Sequence, residues 1–217
     1  MTTRRSLLAY GAGLAALSAM PRARAAVREF SDADYRRAIV IDGLGNVDDP
    51  GSDPNATVMS APGIAALRAS GLTAAHFTVN QVGNEPGVWD RTIANIAVLD
   101  QVLADNPDVF TKANSAKDIR RAKAEGKTAF LYGMQDTSLV GTELDRLALL
   151  KGLGVRIVQL TYNLRNLSGD GSLEPANAGL SKLGRATIAR IEKERLLVDF
   201  SHGGQRTVAE GLAATTR

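Results

Sequence analysis

Cysteine is absent from this 217-residue chain. That absence excludes disulfides, thiolate metal sites, a cysteine nucleophile and a lipid-modified amino-terminal cysteine. Histidine is nearly as scarce, with only His76 and His202 present, so imidazole chemistry has two places to reside. A bilayer-spanning helix needs roughly 20 apolar residues, and the candidate run, Leu7 to Met20, has about 14. Excess charge is also lacking. The formal +3 and pI of 9.3 look basic, yet Arg4, Arg5, Arg22 and Arg24 all fall within the first 25 residues, and without them the charge is about −1. A nucleic-acid surface therefore has little support.

What the amino terminus does contain is a targeting pattern. A twin arginine, Arg4-Arg5, precedes the apolar run; Pro21 ends that run, and Ala23-Arg24-Ala25 satisfies the small-x-small rule for cleavage. Residues 1–25 are expected to be a twin-arginine export signal, which places the mature chain outside the cytoplasm, in the periplasm. Residues 26–217, about 190 in number, suffice for one domain with a sizeable core.

Past the signal, short apolar runs alternate with amphipathic segments, the pattern of α/β architecture. Strands are expected at Ala38 to Asp42, Leu72 to Val79, Thr128 to Tyr132, Val155 to Thr161 and Leu196 to Phe200. Helices are expected at Ala61 to Ser70, Asp90 to Asp105, Ser115 to Glu125, Glu143 to Leu153, Ser181 to Lys193 and from Thr207 to Ala214. Polar residues gather after each strand, which suggests a parallel sheet with its site at the carboxyl ends of the strands. His202 stands at such an end. His76, in mid-strand, reads as a satisfied core or face residue. Gly152-Leu153-Gly154 lacks the third glycine and the preceding strand of a dinucleotide fingerprint.

Three blocks in the second half carry a resemblance: Gly154-Val155-Arg156-Ile157-Val158-Gln159-Leu160-Thr161-Tyr162-Asn163, Gly179-Leu180-Ser181-Lys182-Leu183-Gly184, and Leu197-Val198-Asp199-Phe200-Ser201-His202. In order and spacing they resemble the membrane (renal-type) dipeptidase family, peptidase M19, and Val40-Ile41-Asp42-Gly43 is similar to that family's first strand. The resemblance implies a TIM-type (β/α)8 barrel of the metal-dependent hydrolase kind, here with about five β/α units and so incomplete. It also implies zinc as cofactor and a small dipeptide-like substrate. It says nothing of the oligomeric state.

Carried over residue by residue, the resemblance places metal positions at His202, Gln135 and Asn46 and substrate positions at Tyr162 and Asn163. The family's His-x-Asp falls on Leu44-Gly45-Asn46, its bridging glutamate on Gln135, and a substrate-contacting histidine on Tyr162. An alkyl chain cannot bind zinc, and neutral amides are weak ligands for dications. Two readings therefore stand. One is a zinc metallodipeptidase-family protein, inactive as this chain if the missing ligands are not supplied elsewhere. The other is a metal-free exported binding protein or pseudo-enzyme on the same barrel. Asp48, Asp49 or Asp136 would have to supply replacement carboxylates for a single metal; Asp42 and Asp199 read as orienting or structural groups.

Overall fold

The computed structural model describes residues 29–46, 49, 52–53 and 55–216. The expected export signal and Asp48 lie outside the described residues. Contacts divide the chain into Met1–Asp34 and Tyr35–Arg217, and the sheet and the site belong wholly to the second unit.

The elements are α1 (Asp32–Arg37), β1 (Ile41–Asp42), α2 (Ala61–Ser70), β2 (Ala74–Thr78), α3 (Val88–Asp105), β3 (Phe110–Lys112), α4 (Ala116–Glu125), β4 (Thr128–Met134), α5 (Arg146–Gly152), β5 (Val155–Gln159), α6 (Lys182–Lys193), β6 (Leu197–Asp199) and α7 (Gln205–Ala214). All strand pairs are parallel, in the order β1-β2-β4-β5-β6, with β3 pairing the start of β4. Parallel neighbours need a crossover between them, and the intervening helices provide it. The sheet is an open half-barrel of β/α units.

Helix starts and stops follow from local chemistry. The Oγ atoms of Ser60, Ser115 and Ser181 accept from the N–H groups of Gly63, Asp118 and Gly184, each three residues on, and so satisfy orphan donors of the first turn. Gly71 and Gly126 close α2 and α4 in the left-handed conformation, where a Cβ would be strained.

Strand alternation divides the sheet into two faces. Ala75, Phe77, Phe130, Tyr132, Met134, Val155, Val158 and Leu160 point to one side, a register shift after the Tyr132–Val155 pair bringing Val155 and Val158 to the same face, and meet Ile96 of α3, Leu147 and Leu150 of α5, and Ile188 and Ile191 of α6 in the main core. Phe77 stacks on Phe130 at 3.9 Å between ring centroids, a geometry worth about 1 kcal/mol beyond burial. On the other face, register aligns Thr78, Gly133, Ile157 and Leu197 in one row and Gln159 with Asp199 in the next. A small cluster of Ala74, Ala113, Ala122 and Ala129, with Ile119 of α4, covers its amino-terminal end.

The sequence pattern predicts no strand at Phe110–Lys112. This segment pairs with Thr128–Phe130, a contact that local periodicity does not encode. Four of the five expected strands are shorter at their ends than the apolar runs that announce them. β4 instead runs on through Gly133 and Met134.

Candidate active site

The functional surface is built from the segments that follow β2, β4, β5 and β6. Residues from the first three line a cleft of about 970 Å³, among them Val82, Gly83, Asp136, Tyr162, Asn163 and Arg165. Its location at the carboxyl ends of parallel strands is where barrel enzymes assemble their chemistry.

Two side chains hold the first wall. Asn80 Oδ1 accepts from the Gln135 N–H at 2.9 Å, and Asn80 Nδ2 donates to Asp136 Oδ1 at 3.2 Å, tying the segment after β2 to the end of β4. Asp136 is 3% exposed and also accepts from the Gly83 N–H at 3.0 Å and from Ser138 Oγ at 2.6 Å. Burial pushes its carboxyl above the ordinary value, against the opposing pull of these donors.

The second wall is the segment from Tyr162 to Leu180. Asp170, 1% exposed, is its hub. Its carboxylate accepts from Arg165 Nε at 2.5 Å, from Arg165 Nη2 at 3.0 Å and from the Ala178 N–H at 2.6 Å. Its own carbonyl accepts from the Gly204 N–H and from Thr207 Oγ1. The hydrogen bonds from Arg165 hold the Asp170 carboxyl below the usual carboxylate range, although burial opposes them. Gly171 permits the close approach here, because a Cβ would lie 2.0 Å from the Tyr162 carbonyl oxygen.

His202 sits at the far end of this wall. Its φ of 57° is left-handed, a conformation that a non-glycine residue holds only when its surroundings fix it. Its ring stacks on Tyr162 with centroids 4.1 Å apart, and its Nδ1 lies 2.9 Å from Asn163 Oδ1. An amide oxygen only accepts, so the Nδ1–H is the donor of this bond. His202, Tyr162 and Asn163 thus form one cluster.

The remaining candidate positions lie elsewhere. Gln135 is half-buried at the end of β4. Asn46 lines a separate cavity of about 260 Å³ with Met59, Phe77 and Phe130, on the helix-covered side of the sheet. The spare carboxylates are already engaged: Asp49 accepts from Ser60 N–H and Oγ, each at 2.6 Å, Asp42 from Leu44 N–H, and Asp199 from Ser201 N–H. His76 is 2% exposed, its Nδ1 lies 2.9 Å from the Gly43 carbonyl oxygen, and its Nε2 has no partner among the described residues. Among the described residues, no group of three or more His, Cys, Asp or Glu is close enough to hold a metal ion.

A parallel β/α half-barrel with its polar cluster at the carboxyl ends of the strands is the architecture of the TIM-type barrels. An amidohydrolase from Pseudomonas aeruginosa superposes with a TM-score of 0.72 and 32% identity, covering 84% of this chain and 52% of that one. A metallo peptidase from Rhodobacter sphaeroides, liganded with a phosphinate mimic of the dipeptide L-Ala-D-Ala, has a TM-score of 0.65 at 16% identity, covering 82% and 62%; at that identity it shows the fold alone. The sequence pattern of the membrane dipeptidase family, peptidase family M19, matches residues 51–217, and the chain belongs to that family. Dipeptidase aclJ of Aspergillus oryzae is 29% identical over 127 residues, 55% of this chain and 30% of that protein. Dipeptidase tcpJ of Claviceps purpurea is 28% identical over 123 residues, 56% and 29%. The chain thus spans less than a third of these curated relatives and about half of the Pseudomonas structure.

The family is one of metal-dependent dipeptidases, and the donors present here do not fit a two-zinc centre. Leu44 has no lone pair to give, Asn46 faces another cavity, Gln135 offers only a neutral amide, and the nearby carboxylates already accept from backbone, amide or hydroxyl donors and do not converge on one point. No chemical step is assigned to a metal pair at these positions.

Proposed function

We propose that this protein is an exported hydrolase of dipeptide-like amides that binds its substrate in the cleft after β2, β4 and β5. Its metal complement is at most one zinc, held through His202. The observation that carries this reading is the coincidence of M19 membership with a cleft at the strand carboxyl ends, beside an imidazole whose Nε2 has no hydrogen-bond partner among the described residues. Tyr162, which lines the cleft, stacks with His202 at its edge, Asn163 fixes the ring orientation through Nδ1, and Nε2 would be the atom offered to a zinc ion. The first 25 residues support export.

Leu44, Asn46 and Gln135 favour a second reading, a metal-free binding protein or pseudo-enzyme that kept the barrel. Purified mature protein, assayed for zinc and for hydrolysis of Ala-Ala, separates the two. At most one zinc per chain with measurable turnover is the expected result. Two zinc ions per chain would overturn the metal assignment, and metal-free protein without turnover would overturn the hydrolase reading in favour of the second.

A further inference from the structure

Leu164, Leu167 and Leu173 all stand on the segment after β5 and all line the cleft, yet they are 66%, 56% and 64% exposed. Isolated exposed leucines are ordinary, but these three line one cleft together with Val82 and Val140, which gives the cleft an apolar lining.

The segment is not free to fold these side chains away. The Asn166 carboxamide bonds the Leu160 carbonyl oxygen and accepts from the Ser168 and Gly169 N–H groups. Leu173 N–H donates to the Asn163 carbonyl at 2.9 Å, and Ser172 N–H donates to the His202 carbonyl at 2.8 Å. Bridges Gly169 to Leu180 and Gly171 to Gly203 close the segment on both sides, around the buried Asp170. The leucines are therefore held toward solvent by a hydrogen-bonded frame, against the hydrophobic gain of covering them.

The charges of the cleft are already spent. Four charged residues line it: Asp136, Glu143, Arg146 and Arg165. Arg165 is paired with Asp170, and Arg146 is paired with Glu143 at 2.8 Å while also donating to the Leu139 carbonyl. Asp136 has its three donors. Three of the four charges are thus ion-paired and the fourth, Asp136, is buried behind neutral donors, so a charged side chain entering the cleft meets no exposed unpaired charge among the described residues, whereas an apolar one covers the leucine wall. The volume of about 970 Å³ also lies at the upper end of small-molecule sites, well beyond what glycine or alanine side chains occupy.

From these observations we infer that the cleft selects dipeptide-like amides carrying a large aliphatic or aromatic side chain, seated on Leu164, Leu167 and Leu173. The inference rests on the hydrolase reading for the identity of the backbone it binds, and on the cleft alone for the side chain. Calorimetric titration of the mature protein with Leu-Leu, Ala-Ala and Asp-Lys tests it. Trp89 gives a parallel signal, since it is the chain's single tryptophan and the Arg146 guanidinium lies 4.8 Å above its ring.

Leu-Leu is expected to bind on the order of 10- to 100-fold tighter than Ala-Ala, the range that a few methylenes command in an apolar site, with Asp-Lys weakest. The double variant Leu164→Ser/Leu173→Ser should reduce Leu-Leu to the affinity of Ala-Ala. Equal affinities in the unaltered protein, tighter binding of Asp-Lys, no binding of Leu-Leu at millimolar concentration, or a folded double variant that keeps the preference would each overturn the inference. Turnover, measured separately, distinguishes the two claims. Preference without hydrolysis leaves the side-chain assignment standing and removes the hydrolase, and hydrolysis without preference does the reverse.

Discussion

Replacing Asp170 by Asn tests whether a single buried carboxylate holds the second wall of the cleft. The substitution keeps the shape and removes the charge. Asp170 accepts from Ala178 N–H at 2.6 Å and from two nitrogens of Arg165. An amide has one acceptor oxygen where the carboxylate has two, so one of these contacts faces an NH₂ group instead. Arg165 is about half exposed and water can take over its solvation, so the cost is reckoned on the buried side alone. Loss of a charge-assisted acceptor there is worth about 1.5 kcal/mol. With a urea dependence of about 2 kcal/mol per molar, the unfolding midpoint at pH 7 should fall by about 0.7 M. The pH dependence supplies a second check. Hydrogen bonds from Arg165 lower the carboxyl's folded value below its unfolded one, so its contribution is complete above the unfolded value near 4 and is lost as pH falls through the folded one. The difference between the two proteins should therefore be level from pH 7 to 5 and shrink at pH 3. A midpoint unchanged at pH 7, or a difference undiminished at pH 3, would refute the role given to Asp170.

Two other outcomes are expected. Gly133→Ala should cost about 2 kcal/mol or more by urea unfolding, because a Cβ there would lie 1.9 Å from His76 Nε2 and that ring is pinned through Nδ1 to Gly43. The loss should be smaller in a His76→Ala background, and strict additivity would show that the ring is not what Gly133 accommodates. Arg4→Lys/Arg5→Lys should leave the precursor unprocessed in the cytoplasm on fractionation, and normal export would remove the twin-arginine assignment.

Much of the fold is legible because its signals are local. Ser60, Ser115 and Ser181 announce helix starts, and Gly71 and Gly126 announce stops. The runs around Phe77, Phe130 and Val158 announce strands, since a strand buried on its helix-covered face needs apolar residues wherever it faces the core. β3 is different. Phe110-Thr111-Lys112 is too short to show a period, and it becomes a strand only because Thr128–Phe130 offers its edge. β1 illustrates the converse, for Ala38 to Asp42 reads as a full strand but only Ile41 and Asp42 pair with β2. Register, not composition, decides how much of an apolar run is ladder.

The site is legible in proportion to how much of it lies on strand ends. His202, Tyr162 and Asn163 stand where β6 and β5 finish, and the structure brings them into one stacked, hydrogen-bonded cluster. Asp170 gave no such signal: it sits in a Gly- and Ser-rich stretch, and its importance comes from partners at Arg165, Ala178, Gly204 and Thr207, which only the folded chain assembles. The three leucines were equally hidden, because an isolated Leu in a polar loop has no periodicity to mark it. Asn46 shows how far sequence position and spatial placement can part. Its place one residue from a glycine, just past the first strand, puts it in the right stretch of sequence for a metal position. The chain instead carries it to the cavity beside Phe77 and Phe130, while Asp49 is consumed in holding Ser60 at the start of α2. An amide retains the outline of a carboxylate without its charge, so such a residue loses the attraction of a metal and is left to the same packing and hydrogen-bonding demands as any other loop side chain.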